Sequence, residues 1–269
     1  MNFDFKSLTH LERCFSNIFF IEKNHTYRFG NVASKTSVSG LIKKYEKPFD
    51  SNKVASFVAK RDGMTKEEVL NKWDFARDYS CHKGSEFHKF VENFLARKQT
   101  SLDYENIRVF YENRNTSNLI SSVEDYYADL KKLIANFVDF YNWWKEDHIL
   151  LKSEFVIGDF DSGVCGTIDN LSLNTKTNEL VIFDYKTNKD IKRKNPRNEM
   201  MLDCLSHLQN CEYSKYSLQL SLYSYIIEKI TSFSVPKSYI VWVNGETNYE
   251  LIECLDLKKE SSTILENYK

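Results

Sequence analysis

Residues 163–187, GVCGTIDNLSLNTKTNELVIFDYKT, read as two strands around a short polar turn. The runs GTIDNLSL and ELVIFDYK are aliphatic and β-branched, yet each carries a carboxylate where an apolar residue is expected. A four-residue loop, Thr175–Asn178, pairs Leu173 with Leu180, and the same register sets Asp169 opposite Asp184. Opposed Cβ atoms of an antiparallel pair lie roughly 5 Å apart. Asp184 and Lys186, two residues apart, share one face. Two carboxylates at that separation repel by about 3 kcal/mol at an effective dielectric near 20. A divalent cation turns the repulsion into coordination, and an oxygen-rich site with few protein ligands suits Mg²⁺ or Mn²⁺. A lysine beside it can orient water or stabilise charge on a phosphate. In a fully solvated hairpin the same residues would form only a weak surface ion pair.

The 269 residues suffice for one large domain or two small ones. A net charge of −1 gives no global basic signature, so a polyanion must be held by local patches. The six cysteines (Cys14, Cys81, Cys165, Cys204, Cys211, Cys254) contain no CxxC pair, which argues against a zinc ribbon. Reduced thiols are expected, and no iron–sulfur cluster on Cys204, Cys211 and Cys254. MNFDFKSLTHLER lacks the basic start and apolar core of a signal peptide, and no apolar run approaches the length of a membrane span. The expectation is a soluble, cytoplasmic protein with no membrane partner.

Residues 15–30 predict a hairpin turning at Lys23-Asn24, and Ser37–Tyr45 and Ser51–Arg61 predict short helices. Thr65 and Glu68 form a capping box that opens a helix running to about Tyr79. A separate helix is expected over Gly84–Arg97, striped by Phe87, Phe90, Val91, Phe94 and Leu95, with His88 and Glu92 one turn apart at its margin. Residues 99–118 are polar and read as an excursion, and Ser121–His148 as a long packing helix. Leu150–Ile157 predicts a strand carrying Glu154. After Lys186 an irregular basic run, Lys189, Lys192, Arg193, Lys194 and Arg197, reads as a loop suited to phosphate contact. Tyr216–Thr231 is a helix with Gln219 and Tyr223 four apart; Ser238–Asn244 and Glu250–Leu255 are strands; Lys258–Tyr268 is a terminal helix. This order suits a mixed α/β domain with a helical N-terminal region, divided as residues 1–80 and 81–269, the latter including a helical excursion over 99–148.

Taken in order, Gly84-Ser-Glu-Phe-His88, a strand with Glu154, Gly166-Thr-Ile-Asp169, Asp184-Tyr-Lys186 and Gln219-Leu-Ser-Leu-Tyr223 resemble the RecB-like branch of the PD-(D/E)XK nuclease superfamily. The likeness covers roughly residues 80–245 and extends to small phage-type nucleases and the mitochondrial genome maintenance exonuclease. The stretch MLDCLSHLQNCEYSKYSLQLSLYSYIIE also resembles phage nuclease segments. The resemblance implies a restriction-endonuclease-like central mixed sheet flanked by helices. It implies His88, Asp169, Asp184 and the backbone carbonyl of Tyr185 as metal ligands, with His88 suiting Mn²⁺ as well as Mg²⁺. It implies Lys186 assisting the attacking water and Gln219 and Tyr223 lining the site, with Gln219 bonded to Lys186 or to the DNA. Glu92 and Glu154 are implied supporting carboxylates, and Ser85 stands where the family usually has Thr. Ile168 stands where the superfamily's name implies Pro, and Asn170 replaces a frequent Arg that would contact a phosphate.

The activity implied is a Mg²⁺- or Mn²⁺-dependent deoxyribonuclease, an exonuclease on single-stranded DNA or strand ends, encoded by a phage and acting in the host cytoplasm. Rival readings are a structure-selective endonuclease of the same fold, a non-catalytic nucleic-acid-binding subunit, and a cation-stabilised structural domain.

Overall fold

The computed structural model describes residues 4–114, 122–231, 233–246 and 248–268. Helix α1 (Phe5–Phe15) opens the described chain, an addition to the expected elements. Asp4 caps it, its carboxylate accepting the Ser7 N–H at 2.8 Å. The expected hairpin follows as β1 (Ile18–Ile21) and β2 (Thr26–Phe29), with β3 (Val32–Ala33) completing a small sheet. Its turn closes on His25, which adopts a left-handed φ of 52°.

The main sheet has six strands: β4 (Thr36–Ser37), β5 (His148–Asp159), β6 (Val164–Asn174), β7 (Glu179–Lys186), β8 (Lys237–Trp242) and β9 (Glu250–Glu253). It is mixed, with parallel β4/β6 and β7/β8 pairs and antiparallel β5/β6, β6/β7 and β8/β9 pairs. Leu173 pairs with Leu180, the register that the four-residue loop predicts. Asn174 Oδ1 holds that loop by accepting the N–H groups of Lys176 and Thr177. Strand β7 is apolar on both faces because it is central: Leu180 and Ile182 enter one core, Val181, Phe183 and Tyr185 the other.

The first core is packed by α1, α2 (Val38–Lys43), α7 (Glu212–Thr231) and α8 (Lys258–Glu266); the second by α4 (Lys66–Leu95), α5 (Tyr104–Arg114) and α6 (Val123–Trp144). Between α2 and α4, α3 (Ser51–Asp62) packs Ala55 and Ala59 on Val69. The Thr65–Glu68 capping box forms with both reciprocal bonds. The helix it opens corrects an expectation, because the two helices predicted around residues 80–84 are one 30-residue helix. Gly84 costs about 1 kcal/mol in a helix interior relative to Ala. Burial of Phe75 on one side of it and Phe87 and Val91 on the other outweighs that cost. The polar stretch expected at 99–118, part of the expected helical excursion, contains α5, whose Ile107 is fully buried, while 115–118 lie outside the described residues.

Strand β6 pairs with β5 along its whole length. Its other edge carries β7 over Asn170–Asn174 and β4 over Val164–Cys165. A strand has only two edges, so Gly166–Asp169 lie in a gap between β4 and β7. This gap is where the charged residues collect.

Candidate active site

Glu154, Asp169 and Asp184 stand at one level of three adjacent strands. The β5/β6 register pairs Ser153 with Asn170 and Phe155 with Ile168, so Glu154 faces Asp169. The β6/β7 register ends at Asn170↔Phe183, one step short of Asp169 and Asp184. Neighbouring strands are roughly 4.8 Å apart, so three carboxylates at one level repel strongly. Both ladders are interrupted at that level. Glu154 takes a left-handed φ of 47°, costly for a residue with a Cβ. The Asp169 carboxylate accepts the Tyr185 N–H at 2.9 Å, a side-chain bond replacing a ladder bond.

His88 comes from α4. The neighbouring Phe87 is fully buried against the rings of Phe137 and Tyr185, which sets the helix over β7. His88 Nδ1 then lies 3.7 Å from Asp169 Oδ2. His88, Glu154 and Asp169 each offer a ligand atom, all within 4.8 Å of one another. Asp184 stands outside that trio and ion-pairs with Lys186. Its carboxylate is 1% exposed, and neither oxygen receives an aligned hydrogen bond. Lys186 also lies over the Tyr216 ring, 4.8 Å from its centre.

The electrostatics follow from this crowding. Burial, then the charges of Asp169, Glu92 and Asp184, push the Glu154 carboxyl up to about 8. Burial pushes Asp184 up to about 6 against the pull of Lys186, with Asp169 adding to the rise. Burial works against the Lys186 ammonium, but the Asp184 and Asp169 carboxylates outweigh it and hold the proton on. Both carboxyls titrate above their unfolded values, so they favour folding below the unfolded range and that contribution is lost as pH rises through about 6 and about 8. In EDTA the protein should therefore lose thermal stability between mildly acidic and mildly alkaline pH. Mg²⁺ or Mn²⁺ should restore stability at the alkaline end, as differential scanning calorimetry would detect.

The remaining expected residues fall in distinct places. Gln219 Nε2 donates to the Tyr223 hydroxyl at 3.1 Å; of the two expected partners, Lys186 or the DNA, Lys186 is not the one it bonds. Lys186 is engaged by Asp184 and Tyr216. Tyr216, absent from the expected set, sits one helical turn before Gln219, which was the available signal. Tyr223 is buried, its phenol pushed well above the ordinary value by that burial, so it remains a neutral donor. Glu92 is half-buried and acts on Glu154 through its charge. Tyr185 gives its N–H to Asp169, and its hydroxyl accepts from Asn170 Nδ2 at 2.9 Å. Asn170 is wholly buried and committed to that bond and to Ser172. Ser85, Lys189, Lys192, Arg193, Lys194 and Arg197 are exposed. Arg193 lies over the Tyr213 ring at 4.8 Å.

The glycine of the Gly166-Thr-Ile-Asp169 motif has a steric reason. A Cβ on Gly166 would stand 2.5 Å from Tyr223 Cε1 and 3.0 Å from its hydroxyl. Tyr223 lies directly on the strand, and its ring helps position the segment that presents Asp169. Gly166→Ala should cost about 1–3 kcal/mol of stability by overpacking and lower activity at once. Removing only the hydroxyl in Gly166→Ala/Tyr223→Phe leaves the Cε1 clash, whereas removing the ring in Gly166→Ala/Tyr223→Ala should recover part of the melting temperature.

Residues 57–260 match the family described as the PD-(D/E)XK nuclease superfamily, over more than half of the chain. The chain belongs to the PD-(D/E)XK nuclease superfamily. It is also similar to a solved structure from Eubacterium rectale described as a "putative exonuclease", at 14% identity and a TM-score of 0.39. That likeness covers 70% of this chain and 64% of the other, so this chain spans less than two thirds of that protein. No curated protein matches. PD-(D/E)XK nucleases act on nucleic acid with divalent metals. The site suits such an ion: two carboxylates and an imidazole converge, and buried Asp184 has oxygens that no hydrogen bond satisfies. Among the described residues, no helix is long and apolar enough to cross a membrane.

Proposed function

We propose that this nuclease is a Mg²⁺- or Mn²⁺-dependent deoxyribonuclease that works as an exonuclease on single strands or strand ends. The observation that supports the reading is the meeting of Glu154, Asp169 and His88 beside the buried Asp184–Lys186 pair, in the gap of the β6 edge. His88, Glu154 and Asp169 would hold the cation, with Asp184 at its margin. When bound, the cation supplies Lewis acidity at the scissile phosphate and lowers the pKa of water.

The chain's own residues do the rest. Lys186 keeps its proton, steered by Asp184, and presents a fixed positive charge to the phosphate as negative charge builds in the transition state. Tyr185 N–H holds the Asp169 carboxylate in one orientation. Gln219 and Tyr223 form a hydrogen-bonded wall behind Asp169, and His88 closes the opposite side. Ser85, Lys189, Lys192, Arg193, Lys194 and Arg197, all exposed, would meet the sugar–phosphate backbone. The exonuclease element rests on the order of the motifs.

The test uses 5′- and 3′-labelled linear single- and double-stranded DNA beside circular single-stranded DNA, in Mg²⁺, Mn²⁺ or EDTA. Linear substrates should be cut only with metal, the circle should survive, and Asp184→Asn should be inactive. Cleavage of the circle would favour the endonuclease, and an active Asp184→Asn would remove the proposed chemistry.

A further inference from the structure

A cavity of about 290 Å³ lies beside the catalytic gap, lined by Lys83 of α4, Asp129 and Lys132 of α6, Thr187 and Lys189 after β7, and the turn at Gly245. Thr187 directly follows Lys186, so the cavity begins where the catalytic strand ends. Gly84 lies next to this end of the strand: a Cβ there would stand 3.6 Å from Thr187 Oγ1, an ordinary contact.

The charges in this cavity are uneven. Asp129 is already engaged by Lys132 at 3.1 Å and by the Tyr79 hydroxyl at 3.4 Å. Among the described residues, neither Lys83 nor Lys189 has a carboxylate within ion-pair distance. Lys83 is half-buried, its ammonium 5.1 Å from the centre of the Tyr79 ring, and burial pulls its pKa down. Asp129 acts on it only through its charge, without a direct ion pair, so a partly desolvated ammonium here gains from an anion that completes it. Glu246 stands exposed at the rim.

The shape limits what that anion can be. The volume is at the small end of ligand cavities, which run from roughly 300 to 1,000 Å³. One wall is the Gly245 turn, which, at a φ of 77°, packs on α6: a Cβ there would lie 3.3 Å from Lys132 Cβ and 3.4 Å from Leu133 Cδ2. The small volume suits a strand end better than a continuing strand. A terminal phosphate also carries about −1.5 to −2 charges at neutral pH, against one for an internal phosphodiester, which matches two lysines without a carboxylate at ion-pair distance.

We propose that this cavity holds the terminal phosphate of the strand being cut, an inference that rests on the nuclease reading. The test measures binding of one single-stranded sequence in EDTA, by fluorescence anisotropy, with a 5′-phosphate, a 3′-phosphate or hydroxyl ends. The parent protein should prefer one phosphorylated end by roughly tenfold, Lys83→Gln should lose that preference while binding hydroxyl-ended DNA as before, and Lys83→Arg should keep it. Whichever end is preferred identifies the source of the phosphate. Equal affinity for all three in the parent protein, or equal weakening of all three by Lys83→Gln, would overturn the proposal. Cleavage of the same strands with Mg²⁺ and Mn²⁺ is scored separately. An end preference without cutting counts against the nuclease reading alone, and cutting without an end preference counts against the cavity alone.

Discussion

Glu154→Gly should lower cleavage by roughly 10²–10³-fold or more while leaving the melting temperature in EDTA no lower than the parent's. The two effects have separate causes. Glu154 is one of three residues whose ligand atoms converge within 4.8 Å, so removing its carboxylate removes a third of that donor set. The same residue holds a left-handed φ of 47°, a strain of order 1–3 kcal/mol that glycine does not suffer. Its carboxyl is also held above its ordinary value by burial and then by Asp169, so its ionised form opposes folding at neutral pH. Against these gains stands glycine's extra freedom in the unfolded chain, about 0.5–1 kcal/mol. Glu154→Gln keeps the backbone strain and the shape, and should lose activity without the full gain in stability. Calorimetry and cleavage of a labelled strand, run on all three proteins, check both halves. Near-parental cleavage by Glu154→Gly would remove Glu154 from the metal set, and a large drop in its melting temperature would remove the strain argument.

Lys186→Ala should lose activity and, unlike Glu154→Gly, stability as well. Asp184 is 1% exposed, and its oxygens receive no aligned hydrogen bond. Lys186 is its ion-pair partner. Removing one member of a buried ion pair commonly costs about 3–5 kcal/mol because the other charge is stranded. The cost should depend on pH with a definite sign. Burial already raises Asp184 to about 6 with Lys186 present, and without Lys186 it must rise further. A carboxyl whose folded pKa lies above its unfolded value favours folding at low pH and loses that contribution as pH rises. The Lys186→Ala deficit, measured in EDTA, should therefore be smallest near about pH 5 and largest near about pH 8. Lys186→Ala/Asp184→Asn should regain much of the stability and none of the activity. A deficit that does not change with pH would mean that the pair is not the source of the loss. Loss of the lysine's fixed charge at the phosphate should lower cleavage by roughly 10²–10³-fold.

These expectations divide between what one strand's residues announce and what several strands build together. The hairpin was legible because side chains alternate strictly along a strand and a four-residue loop leaves one register, so Leu173↔Leu180 follows from counting, while the ladder ends at Asn170↔Phe183, one step short of the expected Asp169–Asp184 pair. The Thr65–Glu68 cap was legible for the same reason, since its partners are three residues apart. The break expected near Gly84 was not real, because a glycine's local cost is smaller than the burial of Phe75, Phe87 and Val91 around it. Glu154 could have been counted into the site: the tight turn after Asp159 pairs Gly158 with Cys165 and carries Glu154 opposite Asp169. Its left-handed backbone could not, because it is imposed at the level where three strands bring carboxylates together.

By itself, then, the sequence determined the longer strands, most helices and the order of the acidic, basic and histidine motifs, all of which depend on neighbours within a few residues; the two-residue strands β3 and β4 came only with the structure. Only the tertiary structure decided which carboxylate joins His88 and Asp169, which one Lys186 holds, and why residue 166 must lack a side chain. It also decided that Lys83, Lys132 and Lys189, far apart in the chain, share one cavity. Those outcomes depend on which strand peels away from which edge and on the helices packed behind them, contacts between residues up to about 100 positions apart, which no local pattern encodes.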